Sequence, residues 1–228
     1  PTSVTAFMAA GAKIAGFAAL MRVFSTAFPS IAADLTPVLA VLAALTMIVG
    51  NVAAIAQKNI KRMLAYSSIA HAGYILMAFV AFGNPEVAPV AIAAAIFYLV
   101  TYTLTNFGSW AIVIALEKAE GKGLELEDYA GLGKKKPLMA AAMTIFMFSL
   151  AGIPPTLGLW GKIYLFSAVV AADFYWLAIV GVLTSLISAF YYLRLTVIMY
   201  MKEGEPKTTS EGWLDFTWGA MAIATVIF

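Results

Sequence analysis

Residues 137–172 are almost wholly apolar, yet prolines and glycines cut the run in two. As one helix the run would be roughly 54 Å long at 1.5 Å per residue. A bilayer core is only about 30 Å thick. Pro154 and Pro155 remove two backbone donors and crowd the preceding turn, and Gly152, Gly158 and Gly161 weaken helicity further. The spacing predicts two half-helices joined by an irregular link. At membrane depth such backbone persists only where it is buried in protein or lines a wet cavity. The link closes on Lys162. A lysine at the helix centre costs about 2.5–3.5 kcal/mol on insertion scales, and a broken helix carrying a charge at mid-depth is an arrangement that transporters use. The alternative is a proline-kinked structural helix with an incidental lysine.

The rest of the chain reads the same way. It is 63% hydrophobic and 11% charged, against about 25% charged in soluble domains. The apolar runs are too long and uniform for a β-barrel. The fold class is an all-α polytopic membrane protein of about seven transmembrane helices, one of them discontinuous, forming a single transmembrane domain over 1–228. Helices are expected at about 3–28, 37–57, 63–82, 87–116, 137–172 (broken), 174–201 and 211–228. The connections are 29–36, the basic turn 58–62, the turn 83–86, the polar loop 117–136, the turn at Asp173, and the polar loop 202–210. The chain opens on Pro1 without a methionine or a signal-peptide pattern, so a preceding segment is expected.

Seven crossings place the connections alternately on two sides. One side receives Lys58, Lys61, Arg62, Lys118, Lys122, Lys134, Lys135, Lys136, Lys202 and Lys207. The other receives Asp34, Glu86 and Asp173 and no Lys or Arg. The positive-inside rule makes the first side cytoplasmic. Orientation accounts for the basic residues, so no nucleic-acid partner is inferred.

Four basic residues remain. Arg22 and Arg194 lie near helix ends and can snorkel to the interface. Lys13 and Lys162 are each about ten residues from a helix end, roughly 15 Å deep. His71 is about eight residues into its helix, roughly 12 Å deep. These three groups converge on the midplane. Tyr98, Thr101, Tyr102, Thr105 and Asn106 recur at three- and four-residue spacing and share one helix face; such a face either glues helices together or lines a hydrated path. Tyr66, Ser67 and Ser68 precede His71 by about one turn and form a hydroxyl series leading to the imidazole. Tyr66, Tyr98, Tyr102 and Thr156 are the candidates for lining a hydrated path.

Desolvation and neighbouring charge tune the proton affinity of lysine, and histidine titrates near neutrality. A Lys–His–Lys series at one depth, bridged by water, therefore suits lateral proton transfer. The chain has no cysteine and one histidine. Those counts exclude thiolate-ligated zinc, iron–sulfur clusters and a bis-histidine haem within it. It also shows no nucleophile–base triad, phosphate loop or dinucleotide fingerprint.

Asn59-Ile-Lys-Arg-Met-Leu-Ala-Tyr-Ser-Ser-Ile-Ala-His-Ala-Gly-Tyr74 resembles the signature helix of the antiporter-like subunits of respiratory complex I. Ser149-Leu-Ala-Gly-Ile-Pro-Pro-Thr-Leu-Gly-Leu-Trp-Gly-Lys-Ile-Tyr-Leu-Phe166 is similar to the broken helix of their subunit N type, as is the loop run Leu126-Glu-Asp-Tyr-Ala-Gly-Leu132. Pro1-Thr-Ser-Val-Thr-Ala-Phe-Met-Ala-Ala-Gly-Ala-Lys13 resembles the lysine helix that follows that family's first broken helix. The resemblance implies two inverted five-helix repeats. Residues 3–28 would be the last helix of the first repeat, 37–201 the second repeat, and 211–228 a terminal helix. An earlier broken helix, with its own lysine and a partner glutamate, would precede Pro1.

The resemblance further implies a proton-translocating subunit of NADH:quinone oxidoreductase, without a redox centre of its own. Lys162 would be the lysine of the second half-channel, His71 a relay and Lys13 the bridging lysine. Cofactors would be absent from this chain, with NADH, FMN, iron–sulfur clusters and quinone held by other subunits. Its partners would be other membrane subunits of complex I, the lipid bilayer and H⁺, in a bacterial plasma membrane. The alternative is a subunit of a multi-subunit cation/proton antiporter, which shares the fold. A third reading is a structural spacer, against which the buried lysines argue.

Overall fold

The structure is a computed structural model that describes residues 2–24, 29–117, 123–206 and 212–227, with the side chains of 29–33 and 227 outside the description. Lys118, Lys122, Lys207 and Glu211, and the expected first-helix end at 25–28, lie outside the described residues. Helices α1 (Thr2–Arg22), α2 (Pro29–Ile55), α3 (Ile60–Ala81) and α4 (Ala88–Leu116) come first. The half-helices α5 (Pro137–Ala151) and α6 (Leu157–Ala171) follow, then α7 (Tyr175–Met201) and α8 (Gly212–Ile227). Among the described residues, five helices are long and apolar enough to span a membrane. The pair α5/α6 makes a further, discontinuous crossing, and α8 has 16 residues, against about 20 needed for a full span.

Polarity is distributed as a bilayer demands. Val38, Val41, Leu45 and Val52 on α2 and Leu186 and Phe190 on α7 are exposed. The hydroxyls of Ser67, Thr105, Thr184 and Ser188 are buried, as are His71 and Lys162. Lipid accepts the apolar side chains, whereas polar ones must find partners inside the bundle.

Two elements depart from the sequence reading. The connection expected over 29–36 is helical: α2 starts at Pro29 and runs through Pro37. Proline suits a first turn, which places the start eight residues too late. Membrane helices tolerate an internal proline where neighbouring groups satisfy the freed carbonyl. The second departure is in α1, where Met8–Ala12 form a π-helical turn directly before Lys13. Such turns release a backbone carbonyl from the regular ladder. Here Ala9 O accepts from the Tyr102 hydroxyl at 3.3 Å.

The polar loop folds as a cap over one end of the bundle. Asn59 accepts from the Lys61 and Arg62 amides at 3.0 and 3.3 Å, satisfying orphan donors at the start of α3. Ile60 N donates to Leu124 O and Leu126 N to Lys58 O, both at 2.8 Å. A 3₁₀ turn, Leu126–Tyr129, follows, and Lys202 reaches Glu127 at 2.7 Å. Lys61 pairs with Glu117 at 2.6 Å, and Thr2 donates to the same carboxylate. Partial burial pushes the Glu117 carboxyl up, but the Lys61 and Thr2 hydrogen bonds and the Lys61 charge outweigh it and hold it below its ordinary value. Residues from all three basic connections thus meet at one end of the bundle.

The break between α5 and α6 has an explicit backbone solution. Gly152 adopts φ 85°, a left-handed conformation that favours glycine. Ile153 N donates to Phe148 O at 2.9 Å and Gly152 N to Ser149 O at 3.1 Å, the bonding of a Schellman end. Pro154 and Pro155 then prevent the helix from resuming. On the far side, Gly158 N donates to Ser149 Oγ at 3.2 Å. A Cβ on Gly158 would lie 1.8 Å from Ser149 O, so only glycine lets α6 start this close to the end of α5. Gly158→Ala is therefore expected to push the half-helices apart and lower the amount of folded protein in membranes. Wild-type abundance with unchanged protease resistance would show that the contact yields at little cost.

Candidate functional site

Lys162 lies on α6, one turn past Gly158, and is 3% exposed. Its ammonium donates to Leu150 O at 2.9 Å, Ala151 O at 2.8 Å and Ser185 Oγ at 2.7 Å. Two of these acceptors are carbonyls at the C-terminus of α5, which the break leaves without intrahelical partners. That terminus also carries the negative end of the helix dipole. All three lysine donors are thus used, and the cation sits 5.0 Å from the centre of the Tyr74 ring.

His71, on α3, is 3% exposed. Its Nδ1 is 2.6 Å from the Tyr98 hydroxyl and its Nε2 is 3.1 Å from the Tyr192 hydroxyl. In the neutral ring one nitrogen donates and the other accepts, and either tautomer fits two hydroxyls. Tyr192 is bonded in turn to Ser67, one helical turn before His71. The Tyr102 ring lies 5.0 Å from the imidazole, centre to centre. Lys13, half-buried on α1, donates to the backbone carbonyl and hydroxyl of Ser68 and sits 4.9 Å over the Tyr102 ring. The contacts therefore run from Lys13 through Ser68 and Tyr102 to His71, then through Tyr74 to Lys162. Tyr98 packs against α6 at Gly161, beside Lys162.

A cavity of about 10 Å³, room for roughly one water, is lined by His71, Tyr98, Tyr102, Thr105, Ser149 and Leu150 among others. It joins the imidazole to the residue whose carbonyl holds Lys162. Two larger apolar grooves, and a third lined by Lys135, Lys136 and Asp215, include none of these groups. Among the described residues no carboxylate forms an ion pair with Lys13 or Lys162. Carbonyls, hydroxyls and aromatic faces hold them instead.

The three titratable groups read from the sequence are thus brought together, with Tyr98 and Tyr102 between them. Thr156 is buried, but its hydroxyl donates to Ile153 O at 2.7 Å and serves the link. Tyr66 is 36% exposed, unlike the buried Tyr98 and Tyr102. Sequence reasoning missed Tyr74, Ser185 and Tyr192. A signal for the last two was available: Thr184, Ser185, Ser188, Tyr191 and Tyr192 repeat on α7 at the three- and four-residue spacing already noted on α4.

Residues 1–188 match the model of the family described as NADH:quinone oxidoreductase/Mrp antiporter, transmembrane. NADH-quinone oxidoreductase subunit N of Trichlorobacter lovleyi is 51% identical over 227 residues, covering all of this chain and 45% of that protein. A chain of respiratory complex I from Thermus thermophilus, solved with bound aureothin, is 37% identical with a TM-score of 0.82; the match covers 99% of this chain and 48% of that one. A chain of the Mrp complex from Dietzia is 29% identical with a TM-score of 0.75, over 87% of this chain and 35% of that one. The chain spans about half the length of the relatives it matches. Its helical bundle, its broken helix and these likenesses together establish that the chain belongs to the NADH:quinone oxidoreductase/Mrp antiporter transmembrane family, among relatives of the subunit N type.

Proposed function

We propose that this chain is part of a proton-translocating membrane subunit of NADH:quinone oxidoreductase, and that Lys13, His71 and Lys162 pass protons laterally at mid-membrane. The observation that carries this reading is the clustering of the three titratable groups within one set of packed side chains. Lys13 bonds Ser68 and lies over the Tyr102 ring, which packs against His71; His71 packs edge-on against Tyr74, whose ring faces the Lys162 ammonium, and a cavity for one water beside His71 is lined by Leu150, whose carbonyl accepts from Lys162. Lysine and histidine bind and release protons, while the tyrosine and serine hydroxyls both donate and accept. Lys13, His71 and Lys162 can each bind and release a proton, and water between them would complete the path.

Redox chemistry belongs to other subunits in this reading. The chain has no cysteine to ligate a cluster and one histidine, so NADH, FMN, iron–sulfur clusters and quinone are assigned elsewhere in the complex. Quinone reduction would shift charge along the series, alternately loading and emptying Lys162 and Lys13. Partners are the other membrane subunits, lipid and H⁺. The basic connections face the cytoplasm of a bacterial plasma membrane by the positive-inside rule. The likeness to an Mrp complex supports a second reading, a cation/proton antiporter subunit. The higher identity and fuller coverage of the subunit N relatives favour the first. Sodium-dependent proton exchange in vesicles without NADH would favour the second.

Lys162→Ala in the assembled complex is expected to abolish most proton pumping while the complex stays in the membrane. Normal pumping together with normal quinone-linked electron transfer would contradict the role of Lys162. His71→Gln keeps a side chain able to bond Tyr98 and Tyr192 but removes the titratable group. It is expected to lower the proton-to-electron ratio at unchanged assembly, and an unaltered ratio would leave His71 a packing residue.

A further inference from the structure

A charged cavity lies at the basic end of the bundle, apart from the relay residues. Lys134 pairs with Glu203 at 3.5 Å and Lys135 with Glu205 at 3.6 Å. The segment before α5 therefore meets the segment after α7. Helix α5 starts directly afterwards at Pro137, and α8 starts at Gly212. Between these two starts is a cavity of about 340 Å³, lined by Lys135, Lys136, Leu138, Met139, Asp215 and Trp218 among others. That volume falls within the range of ligand sites, about 300–1,000 Å³.

The lining combines three kinds of surface. Lys136 is exposed, and among the described residues no carboxylate pairs with it. Asp215 stands in the first turn of α8, and its Oδ1 accepts from Trp218 Nε1 at 3.1 Å. That bond orients the carboxylate and leaves it able to accept more, since a carboxylate offers about four lone-pair sites. The rest of the wall is apolar: Met139 is buried, whereas Leu138 is 76% exposed. Trp213 and Phe216, also in the first turns of α8, are exposed as well. Lysines beside membrane helices attract lipid phosphate, and tryptophan gathers at the headgroup level. An apolar flank next to the charged groups suits the start of an acyl chain, which a soluble phosphate lacks.

The charges also select the headgroup. Lys135 is already shared with Glu205, so the cavity offers chiefly one cation, Lys136, and one anion, Asp215. A purely anionic headgroup would meet Asp215 as a like charge. A headgroup with both a phosphate and an ammonium satisfies both residues. A primary ammonium can donate hydrogen bonds to the carboxylate, and a trimethylated one cannot.

We propose that this cavity binds a phosphatidylethanolamine-type phospholipid, with its phosphate at Lys136, its ammonium at Asp215 and the start of its acyl chains along Leu138. The lipid bridges the first half of the broken helix to α8. The site shares no residue with the relay and stands independently of it.

The test uses the membrane complex carrying the full-length subunit, stripped of lipid and returned to bilayers of phosphatidylethanolamine, phosphatidylglycerol or phosphatidylcholine. A density map of the first sample is expected to show a headgroup between Lys136 and Asp215. At sub-saturating lipid, Lys136→Gln is expected to lower that occupancy about fivefold, the worth of one lysine beside a charged headgroup. Asp215→Asn is expected to lower occupancy by phosphatidylethanolamine and raise it for phosphatidylglycerol. Should Asp215→Asn lose both lipids through damage to α8, Lys136→Gln, outside that helix, decides the matter. Equal occupancy by all three lipids, or stronger occupancy by phosphatidylglycerol in the wild type, would overturn the proposal. So would another subunit's side chain in the cavity, or inorganic phosphate there without acyl density.

Discussion

The contact between the Lys162 ammonium and the last carbonyls of α5 holds the two halves of the broken helix together. Stopping a helix inside a membrane leaves carbonyls without donors, and burying a lysine there leaves an ammonium without acceptors. Each problem answers the other. Leu150 O and Ala151 O take the two donors at 2.9 and 2.8 Å, and Ser185 takes the third. Hydrogen bonds to charged groups contribute about 1.5–3 kcal/mol each, enough to offset the about 2.5–3.5 kcal/mol insertion cost of the lysine. Withdrawing the proton would weaken those bonds and leave α5 underdonated. Protonation of Lys162 and the fit between the half-helices are thus coupled through the same atoms.

From that contact the site spreads through hydroxyls and rings. Neither lysine is neutralised by a carboxylate among the described residues. A tight ion pair would fix the charge in place, whereas carbonyls, hydroxyls and π faces stabilise a cation without supplying a counter-charge. A series that has to move protons gains from this, because no member is locked in one state by a permanent opposite charge. The break in α5/α6 and the π turn in α1 play matching roles. Both present backbone carbonyls to the site, one set to Lys162 and one to Tyr102, which packs against Lys13.

Much of this was legible in the sequence because membranes simplify the rules. Span length, the proline pair and the sidedness of Lys and Arg located the helices and the break. Counting residues from helix ends put Lys13, His71 and Lys162 at one depth, and the four-residue rhythm of α4 exposed Tyr98 and Tyr102. The same logic failed where one residue type has two uses. Pro37 reads equally as a helix start and as a tolerated interruption, and α2 runs through it. Tyr66 sits in a run of hydroxyls, but residues adjacent in a helix point in different directions, and it is exposed while Ser67 and Ser68 are buried. The π turn before Lys13 has no compositional mark beyond Gly11. The partnership of Ser185 and Tyr192 with the site depends on how α7 packs, which periodicity suggests but does not locate.

If Lys162 carries protons, its grip on α5 has to loosen during turnover. The direct measurement is a pair of high-resolution maps of the assembled complex, one at rest and one under steady quinone reduction, comparing the distances from Lys162 Nζ to Leu150 O, Ala151 O and Ser185 Oγ. The account predicts that in a turnover state the ammonium leaves at least one α5 carbonyl and turns toward the cavity beside His71. Identical contacts in every turnover state, with waters resolved around them, would mean that Lys162 is a fixed helix cap and not a proton carrier.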